Sequence, residues 1–157
     1  MADDASDDRR LTAMGLLIEV YEGVTAALDL VHGRQGLSGT DFDTLIRLAR
    51  SPHRRLRMGD LAAQTALSTS GITRIVDRLE RRDLVRRESC PGDRRSSLAV
   101  LTDEGSELLT AHVPDVTAAI ERWLTGVLTP EQLDSLLDAL HTVRGGVRPD
   151  AAAGARG

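Results

Sequence analysis

From Leu11 to Val31, apolar residues at Leu11, Met14, Leu17, Ile18, Tyr21, Val24, Leu28 and Val31 recur at the three-and-four spacing of an amphipathic helix, which HGRQG then breaks. LSGTDFDTLIRLARSP predicts a second helix, with Ser38 or Thr40 as N-cap, Phe42, Leu45, Ile46 and Ala49 on one face, and Ser51-Pro52 as its stop. A short third helix is expected in MGDLAAQTAL, with Leu61 and Ala62 inward; it lacks a Ser or Thr cap, although Asp60 favours a helix N-terminus. The fourth is the best marked: Ser68 caps it, and Ile72, Ile75, Val76 and Leu79 form one stripe. It should end near Asp83, a residue type that tolerates the left-handed conformation.

The period then changes. LVRRE and SSLAVLT read as two short strands of a hairpin, joined by the loop SCPGDRR of about seven residues. Thr102 caps a long helix whose first turn holds Asp103 and Glu104 and which Pro114 is expected to kink. TPEQ opens a final helix, with Thr129 as cap, Pro130 in the first position and Gln132 closing a capping box; Leu133, Leu136, Leu137, Leu140 and Val143 follow, and Gly145-Gly146 should end it. The fold expected is mainly α with a small β-hairpin wing. Residues 1–10 read as a disordered acidic arm and residues 146–157 as a flexible tail.

A chain of 157 residues suits one domain with a real core, and 41% apolar with 28% charged content is that of an ordinary globular protein. There is no uninterrupted run of about 18 apolar residues, so no membrane partner is expected. MADDASDDRR lacks the basic start and apolar stretch of a secretory signal, which points to the cytoplasm, and a single cysteine excludes an internal disulfide framework. Charge changes the picture more. All 20 basic residues are arginines, and thirteen of them lie between Arg47 and Arg95 against six acids, a local excess of seven positive charges in a chain of net charge -4. Such asymmetry is the footprint of a basic surface for a polyanion, carried on an acidic body.

A short helix, a turn at Ala66 and Leu67, a helix headed by Ser-Thr-Ser and a hairpin together make a winged helix-turn-helix. With the apolar stripe of the fourth helix inward, Ser70, Thr73, Arg74, Asp77, Arg78 and Arg81 face solvent. Arginine can donate two parallel hydrogen bonds to guanine in the major groove, and hydroxyls serve bases or phosphates. Arg94 and Arg95 at the hairpin tip suit the adjacent minor groove, while Arg54, Arg55, Arg57, Arg86 and Arg87 fit phosphate contacts. Blander readings stand beside these. Ser68 either touches DNA or serves only as a cap, Arg78 or Arg81 could pair with Asp77 or Glu80, and Asp93 is better suited to bracing an arginine of the wing than to meeting phosphate.

LAAQTALSTSGITRIVDRLERRDLVRRESCPGDRRSSLAVLTDEG resembles the DNA-binding core of the MarR family of bacterial transcriptional regulators, through its Asp-x-Arg run, apolar strand and Leu-Thr-x-x-Gly. Asp93, Arg95, Leu101, Thr102 and Gly105 carry the match, and the likeness extends over about residues 10–145. The resemblance implies a homodimer whose terminal helices interlock, here residues 11–35 and 102–145, around a winged helix-turn-helix at 36–101. It implies double-stranded DNA as partner, a pseudo-palindromic operator, and repression relieved by a small-molecule effector. The one-sided apolar stripes of the first and last helices independently ask for a second copy.

Other chemistries find less support. His32, His53, His112 and His141 lack ligand-like spacing, so neither metal nor cofactor is expected. Cys90 is a redox candidate only through its arginine-rich surroundings. No phosphate-cradling Gly loop and no nucleophile with an obvious base suggests an enzyme. A winged helix that binds only protein is the alternative, and it leaves the arginine excess unexplained.

Overall fold

The structure is a computed structural model that describes residues 7–152, except the side chains of residues 93–95 and 152. Most of the expected acidic arm, the last five residues, and the side chains of Asp93, Arg94 and Arg95 therefore lie outside the described residues. The elements run α1 (Arg9–Gly33), α2 (Gly39–Arg50), β1 (Arg55–Arg57), α3 (Met58–Thr65), α4 (Thr69–Glu80), β2 (Val85–Cys90), β3 (Asp93–Leu101), α5 (Asp103–Trp123) and α6 (Pro130–Val147).

The helix starts follow from local chemistry. Ser38 and Asp41 form a reciprocal capping box on α2, and Thr129 and Gln132 form another on α6. The Ser68 hydroxyl accepts from the Gly71 N–H at the start of α4, and that of Thr102 accepts from Gly105 at the start of α5. Each such cap stabilises its helix by about 1 kcal/mol. Helix α3 has no side-chain cap. The α3–α4 turn is made by Ala66 in the left-handed region, φ 56°, with the Leu67 N–H donating to the Ala62 carbonyl.

Leu45 and Leu48 of α2, Leu61 of α3, Ile72, Val76 and Leu79 of α4, and Ala99 of β3 are wholly enclosed in one core. This core locks α4 against its neighbours and leaves its opposite face in solvent. Phe42, Ile46 and Ile75 pack around it, partly buried.

The wing differs from expectation in two ways. It is a three-stranded antiparallel sheet in the order β1-β3-β2, because Arg55, Leu56 and Arg57 pair with Val100, Ala99 and Leu98. A strand of three residues, Arg-Leu-Arg, is too short for its alternation to stand out from the surrounding sequence. Pairing also runs to Cys90 opposite Asp93, past an irregularity at Ser89/Cys90, leaving Pro91 and Gly92 (φ 82°) as the turn; Arg94 and Arg95 thus lie in β3 rather than in a seven-residue loop.

The C-terminal end differs too. Helix α6 continues through Gly145 and Gly146 to Val147. The next residues, expected as a free tail, form a 3-10 turn at Pro149–Ala152. Arg148 Nη2 donates to the carbonyls of Ala63 and Gln64 at the end of α3, both at 3.1 Å, and Arg47 Nη1 donates to the Ala151 carbonyl at 3.2 Å. Helix α5 runs through Pro114 without ending.

Helices α1 and α6 leave much of their apolar surface uncovered. Leu11, Met14, Leu16, Leu17, Val20 and Tyr21 are exposed on α1, as are Leu137, Leu140 and Val143 on α6, which buries no residue at all. By length and composition α1 could cross a bilayer, at a mean hydropathy of 1.4, contrary to the expectation that no segment could. Within the fold its C-terminal end is anchored, with Val31 and His32 buried.

Candidate nucleic-acid interface

Helix α4 is held on one side by α2. The carboxylate of Asp41, which belongs to the α2 capping box and is 3% exposed, accepts from Arg78 Nε at 3.1 Å and Arg78 Nη2 at 2.5 Å. On the other side, Arg87 of β2 pairs with Asp77 at 2.6 Å and with Glu80 at 2.8 Å. Arg82 fixes the far end by donating to the carbonyls of Gln35 and Gly36. Of the face read from sequence, Asp77 and Arg78 are therefore occupied within the protein. Ser70, Arg74 and Arg81 are exposed, and Thr73 is half-buried with its hydroxyl donating to the Thr69 carbonyl at 2.8 Å. Among the described residues Arg74 has no ion-pair partner.

A cleft of about 550 Å³ runs between the start of α3, the polar face of α4 and the wing, lined by Arg57, Met58, Thr69, Thr73, Arg87 and Ser97 among others. The Ser68 hydroxyl, engaged by the Gly71 N–H and 3.1 Å from the Ser70 hydroxyl, is a cap at the mouth of this helix.

Of the expected phosphate contacts, Arg54, Arg55 and Arg86 fall on exposed strand and turn positions with partners of their own. Arg54 pairs with Asp103 at 3.2 Å, Arg86 with Glu88 at 2.7 Å, and Arg55 with the same Glu88 at 4.0 Å. Such exposed pairs contribute little, and phosphate can displace the carboxylate. Arg57 has no ion-pair partner among the described residues. Arg87, expected to reach phosphate, instead braces α4.

Sequence spacing did not reveal a second polar group. The imidazoles of His32 and His112, 80 residues apart in the chain, meet with Nδ1 and Nε2 at 3.0 Å, and both rings pack on Phe42. Burial holds both below the usual imidazole range; for His32 the neighbouring His112 adds to this and Asp29 opposes it, while Asp115 opposes it for His112. His112 Nδ1 has no hydrogen-bond partner among the described residues. His32 also lines a cavity of about 630 Å³ between α1, α2 and α5, with Tyr21, Leu28, Phe42, Val116 and Ile120 among its walls. Among the described residues, no cluster of three or more His, Cys, Asp or Glu could hold a metal. Cys90 is a free thiol buried at the end of β2.

Comparison with known proteins places these features. A family model described as MarR family matches residues 35–96. Over 137 residues, 87% of this chain and 92% of the relative, the sequence is 28% identical to the HTH-type transcriptional regulator MhqR of Bacillus subtilis. The fold matches the crystal structure of AbsC, a MarR family transcriptional regulator from Streptomyces coelicolor, with a TM-score of 0.83 and 34% identity over 90% of this chain and 96% of that one. Sco3205, a MarR family transcriptional regulator from the same organism solved in complex with DNA, matches with a TM-score of 0.82 and 36% identity over 92% of this chain and 91% of that one.

Proposed function

The chain belongs to the MarR family of transcriptional regulators, and from that premise we propose that it binds a pseudo-palindromic operator as a homodimer and represses transcription there until a small molecule releases it. The observation that carries this reading is the solvent-facing row Ser70, Thr73 and Arg74 on a capped helix beside an arginine-bearing wing. In this reading the row enters the major groove, where Arg74 is suited to a bidentate contact with guanine. Arg94 and Arg95 on the wing take the neighbouring minor groove, and Arg54, Arg55, Arg57 and Arg86 hold phosphates and set the register. Ser68 serves as the cap that aims the helix, and Asp93 braces the wing.

The uncovered apolar residues of α1 and α6 support a second copy, since a monomer would leave them in water. Two-fold symmetry then sets the half-sites about 10 base pairs apart, centre to centre. The cavity between α1, α2 and α5 joins the dimer-forming helices to the DNA-binding ones, which suits it to an effector, and a role on DNA supports the cytoplasm as its location.

The test is fluorescence anisotropy of the full chain on the duplex upstream of its own gene and on a scrambled duplex, each across a salt series. An advantage of ~10³ or more for the first, lost steeply as salt rises, is expected. If both bind weakly, selection from random duplexes follows; failure to enrich any sequence would sink the DNA reading and leave a winged helix that binds protein.

A further inference from the structure

We propose that Asp41 is a positioning residue for DNA recognition, acting through Arg78 to fix the setting of α4 against α2, and that Arg78 itself touches neither base nor phosphate. The proposal rests on the operator-binding reading above.

Arg74 and Arg78 are one helical turn apart and therefore share a face of α4. They differ in what holds them. Arg74 reaches solvent, whereas Arg78 is turned back onto the buried carboxylate of Asp41 and also lies 3.5 Å from the Ser38 hydroxyl. The two oxygens of Asp41 divide the work. Oδ2 accepts from the Ser38 N–H and hydroxyl, both at 2.8 Å, which caps α2; among the described residues Oδ1 accepts only from Arg78. A buried carboxylate holds its charge because such partners replace water, so releasing Arg78 to a phosphate would strip Asp41 of the one counter-charge it has among the described residues.

The geometry makes α4 a helix clamped from both flanks. Arg78 draws it toward the start of α2, and Arg87 draws it toward the wing through Asp77 and Glu80. Exposed Ser70 and Arg74, with half-buried Thr73 between them, sit on the N-terminal half of that clamped rod, where a small rotation at Arg78 would displace every reading side chain together.

The experiment compares the full-length wild type with Asp41→Asn, Arg78→Gln, the double variant and Asp41→Glu, on the duplex that the wild type selects from a random pool, across a salt series. Asn keeps an oxygen for the cap and turns a donor toward Arg78, and Glu restores the carboxylate at the usual capping-box position. The expected result is a loss of about tenfold or more in each single variant, no further loss in the double, an unchanged slope of log affinity against log salt, and recovery in Asp41→Glu. Two results would overturn the proposal. One is an Arg78→Gln variant whose salt slope falls by about 0.9, the signature of one lost phosphate contact, while Asp41→Asn binds as the wild type does. The other is wild-type affinity in both single variants. Should Asp41→Asn fail to fold, the slope of Arg78→Gln and the behaviour of Asp41→Glu decide alone. A wild type that selects no duplex overturns this proposal and the operator reading together.

Discussion

At Gly105 the absence of one methyl group lets the long helix meet the wing. A Cβ built there would lie 2.2 Å from the Leu84 carbonyl oxygen and 2.7 Å from Leu101 Cδ1. The Gly105 N–H donates to the Thr102 hydroxyl, which in turn donates to the Asp83 carbonyl at 2.6 Å. The run Leu-Thr-x-x-Gly thus has a local meaning: threonine bridges the left-handed turn at Asp83 to the start of α5, and glycine permits the approach. Gly105→Ala should destabilise the protein by about 1–3 kcal/mol or more, read as a lowered unfolding midpoint. An unchanged midpoint would mean that α5 can shift without cost. The His32–His112 pair makes a second prediction. Both imidazoles are held below their unfolded pKa of about 6.5, so the unfolded chain binds the extra protons. The stability they contribute is present above that value and is lost as pH falls through it toward their lower folded pKa values. Thermal unfolding between pH 7.5 and 5 should show the decline, and His112→Asn should flatten it; identical slopes in the two proteins would exclude the pair as its source.

Among the elements, those with a strong local signal were legible and those defined by pairing were not. Ser68, Thr102 and Thr129 each cap the helix that their sequence context assigned to them, and of the two candidates for α2 it is Ser38 rather than Thr40 that caps it, because a side-chain oxygen and a nearby N–H settle the matter within four residues. Strand β1 escaped because its pairing partner lies more than 40 residues away. Glycines at 145 and 146 did not stop α6, since glycine weakens a helix without breaking its hydrogen bonds. The wing is the element whose proposed DNA contact is easiest to isolate. Arg94→Ala should weaken operator binding by about 1–3 kcal/mol, with base preference altered mainly at flanking A-T positions. Anisotropy on operators varied at those positions is the check, and normal affinity with normal preference would remove the wing from the mechanism.

For the whole molecule, the uncovered apolar residues carry most of the argument. Leu137 and Leu140 are 45% and 44% exposed on a helix that buries nothing within its own chain. Placing a charge there should cost the single chain little and a two-fold partner a great deal. Leu137→Arg is therefore expected to shift the protein from dimer to monomer in sedimentation equilibrium and to abolish operator binding while leaving a folded chain. A dimer that keeps full affinity would refute α6 as the interface. The docking of Arg148 on the last turn of α3 adds a hydrogen-bonded link from the C-terminal end of α6 to the helix-turn-helix.

The sequence by itself determined the order of the helices, their caps, the winged helix-turn-helix and the position of the arginine excess, because these depend on hydrophobic period, short-range hydrogen bonds and composition. Only the tertiary structure decided which arginines remain available. Arg74 and Arg78 are equivalent in helical position, yet Asp41, 37 residues from Arg78, takes one of them, and Asp77 and Glu80 take Arg87. The meeting of His32 with His112 belongs to the same class. Burial and long-range ion pairing are set by which surfaces the core brings together, and no spacing along the chain records that.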